Sequence, residues 1–334
     1  MSYVRQFRAI FPYYANDWIN RQKAYATFFG ELSPHFPTEN GSTILADHGC
    51  GTGENLALLC RTLKPLTGQN ALRVCAVDQN SDLASETSER LHRLGISASV
   101  TTGNGLSTPS DALRSVLKLS RQEHVSISML EHVVYPVIND YDRLAQSLNS
   151  ILSLIHPNGL LVSILTHNSD ADDVRQNKRD LRDISTDQPT QRMLELARRQ
   201  GWKIFEVPIR AQLIDPGISD SEWDEIASGR VKPGGDPHSN VTQALLMLEF
   251  SVAPHEVLSG RGILKSSTYK FREKIKKGFS VDANIQIIPS KGSSAGFIEA
   301  VERAASVAAQ KQAPGGGDHV LLNSVNEVAA YRLG

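Results

Sequence analysis

The stretch STILADHGCGTGENLALLCRTLK, residues 42–64, decides how the rest of the chain is read. Its first part, STILAD, is a short apolar run with strand character. Its last part, ENLALLCRTLK, carries apolar residues at helical spacing. Between them Gly49, Gly51 and Gly53 alternate through HGCGTG. Glycine tolerates positive φ, which suits a tight strand-to-helix turn. Three of them alternating between a strand and a helix also suit a backbone that approaches a ligand, with the helix N-terminus aimed at it.

Outward from this stretch the alternation repeats. LRVCAVD (72–78), ISASVTT (96–102), HVSISM (124–129) and GLLVSIL (159–165) read as strands, and segments 81–94, 109–120 and 140–155 as helices. Units of about 25–30 residues make βαβ crossovers and a parallel sheet. Nearly continuous apolar strands imply helices on both faces. Upstream, the spacing predicts a helix through WINRQKAYATFFGEL (18–32), capped by Asn16 or Asp17 and ended by Pro34 and Pro37. Downstream, 167–188 reads as a polar surface helix, 190–200 as a helix closed by Gly201 and followed by a strand, and 241–252 and the residues from there to the next strand as helical. Residues 283–290 read as a strand, 297–312 as a helix and 319–333 as a terminal strand.

Composition narrows the class. Lys+Arg is 35 and Asp+Glu is 36 in 334 residues, so the chain lacks the basic surplus of a non-specific nucleic-acid binder. No apolar run reaches the 18 residues of a membrane span. The start, MSYVRQFRAIFPYY, has no basic region followed by an apolar one and a cleavage site. Cys50, Cys60 and Cys75 make neither a disulfide framework nor a metal-ligand pattern. We expect a cytoplasmic protein, monomeric or homodimeric, with a small-molecule substrate, no nucleic-acid or membrane partner and no metal.

The ligand of the glycine loop is narrowed by exclusion. A dinucleotide fingerprint needs a third glycine at position 54, which is Glu54, and that argues against a nicotinamide-dependent oxidoreductase. A phosphate-binding P-loop needs a Lys-Ser or Lys-Thr that does not follow. Asp47-His-Gly-Cys-Gly-Thr-Gly53, with an acid two residues before the first glycine, resembles the first motif of class I S-adenosylmethionine methyltransferases. Asp78 ends LRVCAVD where that family's ribose-binding acid lies; a carboxylate, acceptor-only, suits two adjacent hydroxyls. Asn104 in VTTGNG matches the adenine-contacting position. HVSISMLEHV and IHPNGLLVSI are similar to the fourth strand with its exit and to the entry of the fifth. The resemblance implies S-adenosylmethionine as cofactor, S-adenosylhomocysteine as product, and a cofactor site of Asp47, Gly49, Gly51, Gly53, Asp78, Gln79, Asn104, Gly105, Ser128 and Met129.

Within that family YVRQFRAIF, SMLEHVVYPVIND, ALLMLEFSVAPHEVL and HVLLNSVNEVAAYRL are similar to segments of the histamine N-methyltransferase group. Glu131 and His132 stand where that group has aromatics. The resemblance implies an α/β fold with a Rossmann-like, doubly wound, mostly parallel seven-stranded sheet. An N-terminal helical lid (1–40) precedes the cofactor core (41–166), and the remaining strands with substrate-cap insertions follow (167–334). It implies methylation of a small molecule at an amine nitrogen, with O-methylation of a carboxylate or hydroxyl and a non-catalytic binding protein as alternatives. Glu131, expected at the carboxyl end of the fourth strand, is the candidate base or amine anchor, and His132 has a suitable titration range. Tyr13, Tyr14 and Trp18 offer an aromatic wall for a cation, or simply dock the first helix. Asp17 and Asn20 on the same segment, Tyr135, His167 and Asn323 complete the candidate substrate contacts.

Overall fold

A computed structural model describes residues 8–37, 42–67, 71–106, 109–131, 133–134, 137–138, 140–170, 188–231, 235–236, 238–252 and 265–333. The strands are β1 (Ser42–His48), β2 (Ala71–Asp78), β3 (Ser97–Thr102), β4 (Val125–Glu131), β5 (Ile155–Ser169), β6 (Phe205–Ile209) and β7 (Val281–Pro289). They form one seven-stranded sheet in the order β3-β2-β1-β4-β5-β7-β6. β1 pairs in parallel with β2 and β4, as do β2 with β3 and β4 with β5. β7 runs antiparallel to both neighbours, β5 and β6. The sheet is therefore the mostly parallel, doubly wound one expected. Strand order reverses between β1 and β4, and in such sheets ligands bind beyond the carboxyl ends at that reversal.

Helices cover both faces. On one, α1 (Ala15–Leu32), α2 (Glu54–Leu66), α3 (Ser81–Arg93) and α10 (Ala295–Gln312) bury Phe28, Phe29, Leu63, Leu91 and Val301 against Leu45, Val74 and Ile127. On the other, α4 (Ser110–Val116), α5 (Tyr141–Leu152) and α6 (Gln188–Gln200) bury Leu113, Leu148 and Met193 against Ile44, Val77 and Leu130. Successive strand residues face opposite ways, which is why Leu45 and Ile44 serve different cores. A third apolar cluster lies apart from both. It joins Ile10, Phe11, Trp18 and Ile19 to Leu213 and Ile214 and to α7 (Asp220–Ala227), α8 (Asn240–Val252), α9 (Lys265–Lys277) and α11 (Val325–Leu333).

Three expectations change. Neither Asn16 nor Asp17 caps α1. The helix begins at Ala15 behind a 3-10 turn, Phe11–Tyr14, and both side chains have other partners. β5 extends through His167 to Ser169, because antiparallel pairing with β7 continues to Ser169↔Val281; residues 171–187 of the expected surface helix lie outside the described ones. The expected terminal strand is a helix instead. Residues 319–323 run without a strand partner, and 325–333 form α11, in whose first turn the Glu327 N–H donates to Ser324 Oγ at 3.2 Å. Side-chain amides of α1 bond the backbone of Val320 and Leu322 in place of a neighbouring strand.

Candidate functional site

The carboxyl ends of β1, β2 and β4 and the turn after β3 gather Asp47, His48, Asp78, Glu131 and the residues around Asn104. The glycine loop has the left-handed backbone its sequence implies, with φ of 145°, 54° and 71° at Gly49, Gly51 and Gly53. At Gly51 a side chain would meet nothing within 4 Å, so this turn of backbone borders open space. The loop is fastened from behind by α3. The Thr87 hydroxyl donates to Gly51 O at 2.9 Å and Arg90 Nε donates to Thr52 O at 3.0 Å. α2 starts at Gly53 without a side-chain cap, as a helix facing a ligand does.

Asp78 turns both oxygens to backbone donors, Gly51 N–H and Asn80 N–H, each at 2.9 Å. It thus shapes the loop and keeps further lone pairs for hydroxyl donors. Gln79 and Asn104 are exposed beside it, with Gln79 Nε2 donating to Asn104 Oδ1 at 3.4 Å. Asp47 is different. Its carboxylate is buried, and Oδ1 has no hydrogen-bond partner. Burial, then the neighbouring Glu131 and Asp78 charges, hold its pKa well above the usual carboxylate range. The His48 backbone N–H lowers the pKa only in part; a buried oxygen left without a partner is costly, and an arriving cation would relieve it.

Glu131 ends β4 on the same sheet face as Asp47. Its Oε1 accepts from the Tyr25 hydroxyl at 2.9 Å, and Oε2 pairs with Arg21 at 3.2 Å. Arg21 also holds Asp17 at 2.6 Å. Burial disfavours the guanidinium charge, but Asp17 and Glu131 outweigh it and raise its pKa. Burial and the Glu131 charge together raise the Tyr25 pKa well above its ordinary value. A cavity of about 10 Å³, the space of roughly one water, lies here between Trp18, Arg21, Tyr25, Asn55, Leu58 and Glu131.

Several candidate substrate contacts have other work. Asn20 is fully buried and spans two chain segments. Its amide donates to Arg210 O at 3.0 Å and Val320 O at 2.8 Å, and its carbonyl accepts from Val320 N–H at 2.8 Å. Asn16, one turn earlier, repeats this with Gln212 O, Leu322 O and Leu322 N–H. The Tyr13 hydroxyl donates to Gln243 Oε1 on α8. Trp18 stacks on Phe11 with ring centres 5.8 Å apart, and Tyr14 packs half-buried against the same cluster. The docking alternative for these aromatics therefore describes their contacts. Asn323 is exposed, and its N–H donates to Glu327 at 2.7 Å. His167 lies where the β5 register shifts between Thr166 and Asn168. His132 and Tyr135 lie outside the described residues. Met129 and Ser128 are both buried in β4, on opposite faces.

The sequence reading missed Arg21, Tyr25 and His48. Asp17, Arg21 and Tyr25 recur every four residues, so one helix face carries all three, and that stripe was available. His48 was available as the polar neighbour of Asp47 at the end of β1. Among the described residues no group of three or more His, Cys, Asp or Glu side chains could hold a metal ion, and no helix is long and apolar enough to cross a membrane. The three cysteines are free and buried, and burial pushes the Cys60 thiol up to about 12.

No family model and no curated protein matches the chain. Solved structures similar to it include one described as a class I S-adenosylmethionine-dependent methyltransferase from Listeria monocytogenes. That pair shares 11% identity over 57% of this chain and 53% of the other, with a TM-score of 0.36. A mitomycin 7-O-methyltransferase shares 14% identity over 55% and 50% of the two chains, TM-score 0.35. A protein solved in work on conversion of a disulfide bond into a thioacetal group during echinomycin biosynthesis shares 13% over 77% and 80%, TM-score 0.39. The chain thus spans about half the length of the first two.

Proposed function

We propose that the protein is an S-adenosylmethionine-dependent methyltransferase acting on a small molecule at an amine nitrogen. The observation that carries this is the buried, unpartnered Asp47 oxygen at the strand-order reversal, beside a glycine loop that borders open space and a second carboxylate, Asp78. A phosphate ligand would meet like charge here, whereas a ligand with an ammonium group and a ribose diol matches both acids. When bound, S-adenosylmethionine supplies an activated methyl group with a good leaving group. Asp47 would hold the ammonium, Asp78 the ribose hydroxyls, and the turn at Asn104 the base.

The chain's remaining task is alignment and exclusion of water. α1 closes over the ends of β1 and β4 and presents Arg21 and Tyr25 to Glu131. Glu131 is the proposed anchor or proton acceptor for the amine. Each of its oxygens carries one bond, to Tyr25 or to Arg21, and keeps a further lone pair for a substrate proton. A second reading is O-methylation of a hydroxyl, whose proton Glu131 would take.

Isothermal titration with S-adenosylmethionine and S-adenosylhomocysteine tests the cofactor; folded protein that binds neither ends the proposal. A turnover screen over amines, amino acids and small hydroxyl compounds, read by product mass, separates N- from O-methylation.

A further inference from the structure

We propose that His48 is a positioning residue. Its imidazole seats the turn after β3 on the end of β1 and thereby sets the base-binding side of the cofactor site. The identity of that ligand rests on the methyltransferase proposal; the seating itself does not.

His48 follows Asp47 at the end of β1 and is 1% exposed. It lies on the opposite sheet face from Asp47, because strand residues alternate. Nδ1 is 2.9 Å from Gly105 O and Nε2 is 2.6 Å from Ser128 Oγ. A carbonyl only accepts, so the proton is on Nδ1 and the Ser128 hydroxyl donates to Nε2. Burial keeps the ring neutral, with its pKa pushed down to about 4 against the pull of the Gly105 bond. Both ring nitrogens are thus committed, in one tautomer and one orientation.

The turn is also pressed onto His48 through the backbone. A Cβ at Gly105 would lie 2.8 Å from the His48 carbonyl carbon and oxygen, a distance only glycine permits. Asn104, the proposed base contact, is the next residue, and its Oδ1 accepts from Leu106 N–H at 3.0 Å. Ser147 on α5 holds Leu106 O at 3.1 Å from the far side. Ser128, in turn, sits three residues before Glu131 in β4. One ring therefore ties together the end of β1, the turn after β3 and β4, which carry Asp47, Asn104 and Glu131. An apolar residue at 48 would fill the volume but leave Gly105 O and the Ser128 hydroxyl unpaired, and sites left loose by about 1 Å lose function.

The test compares His48→Leu, His48→Gln and His48→Asn with wild type. Asparagine places a donor near the position of Nδ1, and glutamine reaches that of Nε2. We expect S-adenosylhomocysteine to bind His48→Leu and His48→Gln about tenfold more weakly, as expected for one lost hydrogen bond, and His48→Asn to recover most of that loss. Amide exchange at residues 103–106, measured without cofactor, should accelerate in the Leu and Gln variants and return toward wild type in the Asn variant. Wild-type affinity and wild-type exchange at 103–106 in His48→Leu would overturn the assignment. If wild type itself binds no S-adenosylhomocysteine, the cofactor proposal fails while the exchange experiment still decides the seating.

Discussion

Asp78 accepts two backbone N–H bonds before any ligand arrives. Asp78→Ala should therefore weaken S-adenosylmethionine binding by about 1.5–3 kcal/mol, the range for hydrogen bonds to a charged group, measured by titration calorimetry. Asp78→Asn is the finer probe. Its amide would turn a donor toward Gly51 or Asn80 N–H, so it should bind no better than alanine despite its similar shape. The placement of such residues was legible in the sequence, because an acid or a glycine that closes a short apolar run marks the strand end. Glu131 was legible for the same reason. Its partners were not: Arg21 and Tyr25 are buried by tertiary packing of α1 over the sheet, and a helical stripe does not say which strand end it will meet.

At the scale of elements, α1 is held by amides as well as by apolar contact. Asn16 and Asn20 lie four residues apart on one helix face and bind 320–322 and 210–212 through main-chain atoms only. Asn20→Ala leaves two carbonyls and one N–H without these partners and should cost about 1–3 kcal/mol of stability, read by urea denaturation at fixed pH. A substrate-contact role alone predicts unchanged stability and a raised KM. The same amides explain why the terminal run was misread. HVLLN has strand character, and it receives backbone hydrogen bonds as a strand would, but from side chains on a helix. The core strands and their helices were readable because periodicity and burial agree there. The ends of elements were set by partners distant in sequence.

For the whole molecule, two buried groups give opposite pH signatures. His48 takes up its proton near pH 6.5 when unfolded and only near 4 when folded. Between those values the unfolded state binds more protons, so stability falls as pH drops. The loss approaches about 3 kcal/mol by linkage. Stability of wild type relative to His48→Asn should decline from pH 6.5 to 4 in denaturant titrations, and a constant difference would contradict a buried neutral imidazole. Glu249 on α8 works the other way: burial raises its pKa from 4.5 to about 7. The folded state then holds the extra proton, so stability is present below the unfolded value and lost as pH rises through 7. Glu249→Gln should gain melting temperature over wild type as pH goes from about 5 to 8, with most of the gain between those pKa values.

The asparagine clasp has a consequence for how such a protein can diversify. Asn16 and Asn20 grip carbonyl and amide groups that every residue except proline supplies in full. The side chains at 210, 212, 320 and 322 are therefore not what the clasp recognises. What constrains Val320 and Leu322 is their packing on the third apolar cluster, so any apolar pair that keeps that packing would leave the attachment of α1 unchanged.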